Sequence, residues 1–295
     1  MRFGICILPE LTWREAQPRW RRAEAMGFDH AWTYDHLVWG GLPDSRWFAG
    51  IPTLTAAAMV TERISLGAFV ISPNFRHPVA LSREVATLVD ISDGRLLLGL
   101  GAGGTPDDIL LGGDRLPPRQ RVDRLQEFTL LLDRTLSEDH VDADGEYYQA
   151  RDMRLVGDPV RPRVPFLLAG NGPRSVRFAA RHGDGWITTG APADTLDDWL
   201  DGVRASSELL TDTLEKDGRT GDFPRYLSLD ASPRNALESI GLFDELVGRA
   251  ADLGFTDVIV HWPRAEQPYR ASERVLDEVA TRLQSHSHPR TAVTD

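Results

Sequence analysis

Asp35 and His36 stand side by side just past a short apolar segment, in the run Trp32-Thr33-Tyr34-Asp35-His36. An aspartate beside a histidine can supply an orienting carboxylate and a proton carrier that works near neutral pH. The same pair serves equally well as a turn cap with a packed imidazole. A second group is Gly99-Leu100-Gly101-Ala102-Gly103-Gly104. Its glycines let a flat ligand or a phosphate approach the backbone, or simply make a tight turn. It is not a dinucleotide fingerprint, because the spacing differs and Pro106 with two aspartates speaks against a helix starting at once. A third group, Ala169-Gly170-Asn171-Gly172-Pro173, lies directly before a helical stretch, where exposed amides favour an anion. A fourth is Thr188-Thr189-Gly190. Ordinary helix capping explains either of the last two alone, and as neighbours they would form one phosphate cradle. The other histidines offer less. His77 precedes Pro78 and suits a turn, and His261 ends the eighth apolar segment, where it either reaches the pocket or packs beside Trp262. His286-x-His288 has the spacing of a metal hydrolase but lies in the tail, so no metal site is expected. A G-x-S-x-G nucleophile elbow is absent.

Eight short apolar segments must position these groups. They are Phe3–Leu8, Asp29–Thr33, Ile64–Ile71, Arg95–Leu100, Phe166–Ala169, Trp186–Thr189, Tyr226–Leu229 and Thr256–Trp262. Each is followed by a stretch of helical periodicity, such as Thr12–Met26, Val79–Asp90, Arg174–His182 and Ser272–Leu283. Only the polar stretch Ser137–Pro165 interrupts the alternation. Apolar strands alternating with amphipathic helices imply a parallel sheet covered by helices. Eight such units within 295 residues match an α/β, (β/α)8 TIM barrel better than an open doubly wound sheet. One domain over residues 1–284 is expected, followed by a polar, frayed tail over 285–295. In such a barrel the chemistry sits at the C-terminal strand ends, which is where all four groups fall.

Composition removes other classes. The net charge is −11, which argues against a nucleic-acid-binding face or an anionic membrane surface. The segment MRFGICILPE is no signal peptide and no run approaches a membrane span, so a soluble, cytoplasmic protein is expected. Cys6 is the single cysteine, which excludes an intrachain disulfide and a cysteine-rich zinc site. Of 33 basic residues only Lys216 is a lysine. Any phosphate must therefore be held by arginine, hydroxyls or backbone amides. Trp13, Trp39, Trp47 and Phe75 suggest an aromatic-lined cavity.

The ordered motifs Trp32-x-x-Asp35-His36, Arg63-Ile-Ser-Leu-Gly67 with Arg76-His77-Pro78, Asp90-Ile-Ser-Asp-Gly94-Arg95 and Gly170-Asn-Gly172-Pro173-Arg174 run through residues 1–284. Together with Val260-His-Trp-Pro-Arg264, they make the chain resemble the luciferase-like monooxygenase superfamily of flavin- or deazaflavin F420-dependent oxidoreductases. The resemblance implies a flat tricyclic cofactor at the barrel mouth. It implies a non-prolyl cis peptide at Phe69–Val70 backing the ring, and Gly101, Ala102 and Gly103 flanking it. The phosphate is expected on Ala169, Gly170, Asn171 and Gly172 and on Thr188, Thr189 and Gly190. His36 would transfer a proton or polarise the substrate, with Asp35 beside it. F420 is the first choice of cofactor, since the Asp-His pair and the glycine turn look more like its users. The arginine-rich composition also suits GC-rich lineages. The alternatives are an FMN-dependent monooxygenase using a reduced flavin and O2, or a flavin-binding barrel without turnover. Sugar-phosphate dehydrogenases of the family carry a glutamate where this chain has Gly104, which counts against that activity. Trp39 is offset by one from the family's aromatic position, so its role is not carried over. The region between the seventh and eighth strands is short, which implies an open mouth. A small-molecule substrate is expected, and a homodimer is an assembly the family often adopts.

Overall fold

The computed structural model describes residues 1–155 and 163–287. Its strands are β1 (Arg2–Cys6), β2 (His30–Thr33), β3 (Ser65–Ile71), β4 (Leu96–Leu100), β5 (Val141–Asp144), β6 (Gln149–Met153), β7 (Phe166–Ala169), β8 (Gly185–Thr188), β9 (Arg225–Ser228) and β10 (Asp257–His261). Eight of them close a parallel barrel in the order β1-β10-β9-β8-β7-β4-β3-β2. These eight coincide with the eight apolar segments to within one or two residues at most ends. The helices around them are α1 (Trp13–Ala25), α2 (Gly50–Ala58), α3 (Pro78–Ser92), α4 (Thr105–Leu110), α5 (Pro118–Ser137), α6 (Pro173–His182), α7 (Leu196–Lys216), α8 (Ile240–Asp252) and α9 (Glu273–Ser287).

Strand alternation sorts the core into two layers. Ile5, Ala31, Leu66 and Leu98 pack outward against the helices. Cys6, Trp32, Leu167, Ile187 and Tyr226 form a separate cluster inside the barrel. At the opposite end from the mouth the interior is polar. There Asp257 is fully buried and faces His30 Nε2 and Arg2 Nε, each at 2.9 Å. Burial pushes its carboxyl up, but these partners outweigh that and hold it below the usual carboxylate value.

Two elements depart from the sequence reading. The stretch Ser137–Pro165 contains an antiparallel hairpin, β5–β6, whose turn is held by Glu127 of α5 accepting the amides of Glu146, Tyr147 and Tyr148. And α4 does begin at once after Gly104. Proline in the first turn lacks only an N–H that a helix start leaves unpaired, and aspartates there suit the helix dipole. Pro106, Asp107 and Asp108 are thus start signals rather than breakers. The expected tail begins within α9, which runs to Ser287, and residues 288–295 lie outside the described residues.

Candidate active site

The C-terminal ends of β2, β3, β4, β7 and β8 open on one cleft of about 320 Å³. His36 lies on its wall. The alternation of β2 explains why: Trp32, Tyr34 and His36 share the inward parity, while Thr33 and Asp35 share the outward one. Asp35 is therefore not the partner of His36, which corrects the expected pair. The Asp35 carboxylate faces outward and binds Arg76 Nε at 2.7 Å and Nη2 at 2.9 Å, with 2% of its side chain exposed. Burial alone would lower the Arg76 value, yet Asp35 and Glu84 raise it overall. Asp35 is thus a buried structural anchor between β2 and the start of α3.

The carboxylate on His36 comes from α4. Asp107 Oδ2 accepts from His36 Nδ1 at 2.8 Å, and Oδ1 accepts the amides of Leu37 at 2.8 Å and Val38 at 3.1 Å. Burial pushes the Asp107 carboxyl up, but the bond from His36 and the two amides outweigh it and leave it below the ordinary value. An ionised carboxylate only accepts, so Nδ1 carries the proton and Nε2 carries the lone pair.

Phe69 and Val70 line the cleft, and the bond between them is a cis peptide. The β3–β4 register breaks between Ala68 and Ile71, a bulge that turns Val70 toward β4. A Cβ on Gly101 would lie 2.4 Å from Val70 Cγ2, so only glycine fits there. Gly103 has φ +70°, and a Cβ on it would meet Asn74 Oδ1. Ala102 completes this wall.

The facing strands are polar. Asn171 Oδ1 accepts from Thr188 Oγ1 at 2.8 Å and from the Thr189 amide at 3.3 Å, while Asn171 Nδ2 donates to Thr189 Oγ1 at 2.7 Å. Ala169, Gly170, Asn171, Thr188 and Thr189 all reach the cleft. Gly172 and Gly190 do not line it: Gly172 precedes α6 as its cap, and the Gly190 amide donates back to Thr188 Oγ1 at 3.0 Å.

A model of the luciferase-like monooxygenase family matches residues 1–227. The chain belongs to that family. It is 32% identical over 281 residues to an F420-dependent glucose-6-phosphate dehydrogenase of Amycolatopsis mediterranei, covering 92% of this chain and 80% of that one. Its fold is similar to an F420-dependent secondary alcohol dehydrogenase solved with an F420-acetone adduct, with TM-score 0.80, 15% identity and coverage of 95% and 97%. It is also similar to the monooxygenase RslO1 of Streptomyces bottropensis, with TM-score 0.74, 21% identity and coverage of 98% and 100%.

On this luciferase-like barrel several site residues escaped the sequence reading. Asp107 is the chief one. Tyr34 and Ile187 also line the cleft. Tyr34 Oη lies 2.9 Å from His261 Nε2 and 3.0 Å from Tyr269 Oη, and His261 Nδ1 faces Asp230 Oδ2 at 3.2 Å. Burial pushes the Tyr34 hydroxyl well above its ordinary value, so it stays protonated beneath the cleft. The inward parity of Tyr34 and the strand-end place of His261 were readable in the sequence; the reach of Tyr269 was not. Of the expected cavity aromatics, Trp39 and Trp47 pack on this cluster. Trp13 instead lines a separate apolar pocket with Trp20 and Phe48, and Phe75 lies under the Arg76 guanidinium.

Proposed function

We propose that this chain is an F420-dependent oxidoreductase that moves hydride between the deazaflavin and a small organic substrate. The observation that carries the reading is the His36–Asp107 dyad on the wall of the same cleft as the Phe69–Val70 bulge. A relative 32% identical along nearly the whole chain bears an F420-dependent name. The cleft suits such a group. Phe69, Val70, Ala102 and Ile187 offer apolar surface to a flat ring. Behind Gly103, Ser72 Oγ and Asn74 Oδ1 are buried with no partner. The hydroxyls of Thr188 and Thr189, with the free amides at the start of α6, suit a phosphate.

The hydride chemistry belongs to the bound deazaflavin. The chain's own part is proton handling and exclusion of water. With Nδ1–H fixed on Asp107, His36 Nε2 takes a proton from a substrate hydroxyl during oxidation, or gives one to a carbonyl oxygen during reduction. Asp107 steadies the resulting imidazolium as an ion pair, while Tyr34 and Phe69 close the cleft from below.

Titration of the purified protein with F420 and with FMN, followed by cofactor fluorescence, tests the assignment. Saturable binding of F420 is expected, retained in His36→Ala. Tight binding of FMN with no response to F420 would overturn it.

A further inference from the structure

We propose that the substrate is an uncharged, ring-shaped ketone or alcohol and that sugar phosphates are not substrates. This rests on the oxidoreductase reading above and names the substrate class for the same site.

Among the described residues, those that line the cleft include no lysine or arginine. The chain's single lysine, Lys216, ends α7 on the outside of the barrel. Two arginines behind the cleft walls, Arg76 and Arg264, are committed to carboxylates. Arg76 is held by Asp35 and Glu84. Arg264 pairs with Glu10 at 2.7 Å and also donates to the carbonyls of Gln267 and Pro268. Arg121 has a neutral partner instead: Nη1 donates to the Gly103 carbonyl behind the wall, its Nε is buried without a partner, and it does not reach the lining. The one ionised group in contact with His36 is a carboxylate, Asp107. A substrate phosphate entering beside His36 would lose water, gain no cation and meet that negative charge.

What this side of the cleft does offer is aromatic surface. Trp39 lines the cleft together with Tyr34 and Phe69. Behind Trp39 stand Tyr269, near parallel at 5.9 Å and 8° and itself stacked on His261 at 3.7 Å, and Trp47 at 5.9 Å. Tyr34 meets Trp39 edge-on at 5.2 Å. Such faces bind flat apolar rings and reward no charge. In the reducing direction a bound reduced deazaflavin, reacting as its N1 anion, would supply the hydride to the carbonyl carbon and become the neutral oxidised form. The C=O π pair moves to oxygen, which takes the proton of His36 Nε2 and becomes a hydroxyl. The oxidised deazaflavin and neutral His36 remain.

Calorimetric titration of the F420-loaded protein with 1-tetralone and with glucose 6-phosphate tests this. Tetralone is expected to bind at least about tenfold more tightly than the sugar phosphate. Trp39→Ala is expected to weaken tetralone about tenfold and Trp39→Phe to restore most of it. Equal or tighter binding of glucose 6-phosphate, or no binding of tetralone, overturns the proposal. The same titrations without cofactor separate the two readings: F420 failing to bind while tetralone is still preferred removes the cofactor and supports the substrate class.

Discussion

Replacing Asp107 tests the dyad directly. Its carboxylate is 1% exposed and accepts three hydrogen bonds, from His36 and from the amides of Leu37 and Val38. A hydrogen bond to a charged group contributes about 1.5–3 kcal/mol net. His36 is 21% exposed, so water can replace part of what is lost. Asp107→Ala is therefore expected to cost about 3 kcal/mol. Asp107→Asn keeps Oδ1 on the two amides and should cost only about 1–2 kcal/mol. Its larger effect is on the ring. The new amide N–H faces His36 Nδ1, which must become an acceptor, and the proton moves to Nε2. Neutral His36 then has no lone pair at Nε2 to receive a substrate proton. Urea unfolding reads the first effect, and long-range ¹H–¹⁵N correlation spectra of the histidine rings read the second. An Ala variant within about 0.5 kcal/mol of wild type, or an Asn variant that keeps the Nδ1–H tautomer, refutes the reasoning.

The neighbouring carboxylate should behave in the opposite way. Asp35→Ala strands a largely buried Arg76 with only the exposed Glu84 as partner, and is expected to cost about 3 kcal/mol in urea unfolding. The His36 tautomer should not change. Acid should weaken the fold through Asp107 and Asp257, whose folded values lie below the usual carboxylate range. Their contribution is fully present above the unfolded value of about 3.9 and is lost as pH falls through the lower folded values. Urea midpoints should therefore drop steeply below about pH 4, and less steeply in Asp257→Asn.

These two aspartates also show what was legible in the sequence. The barrel was legible because its strands are short and apolar and its helices amphipathic, and each signal is local. That Gly170, Asn171, Thr188 and Thr189 meet on one cleft was legible because they follow adjacent strands. The identity of the His36 partner was not given by adjacency in sequence. Residues one apart on a strand point to opposite faces, so Asp35 was the wrong neighbour by its parity. Asp107 lies 71 residues away from His36 and reaches it because Pro106 and the two aspartates start a helix at Thr105. That start was misread as a loop. The hairpin β5–β6 was missed for a different reason. Its strands bury few side chains and hang on Glu127, a polar contact across 20 residues that no periodicity reports.

The scarcity of lysine links the cofactor side of the cleft to the substrate side. A phosphate bound by amides at the start of α6 and by threonine hydroxyls draws on backbone that a barrel strand end supplies whatever its side chains are. That half of the cleft can persist in a chain with one lysine. A phosphate bound at the aromatic side would need a cation on the cleft lining from the segments that carry Trp39, Trp47 and Tyr269; Arg264 in the last of these is tied to Glu10 and its own loop, and Arg46 and Arg270 are exposed and do not line the cleft. Identity of 32% to a glucose-6-phosphate dehydrogenase therefore bears on the scaffold and the cradle. It does not carry over the sugar phosphate, because the groups that would recognise one are side chains on loops. If Leu42, which packs on the same inner cluster as Trp39 and Trp47, were replaced by arginine, its long side chain would bring an uncommitted cation to that side of the cleft. The Leu42→Arg variant should then gain measurable affinity for glucose 6-phosphate while losing affinity for 1-tetralone. A variant that gains neither charge selectivity nor sugar-phosphate binding would show that something other than the missing cation sets the preference.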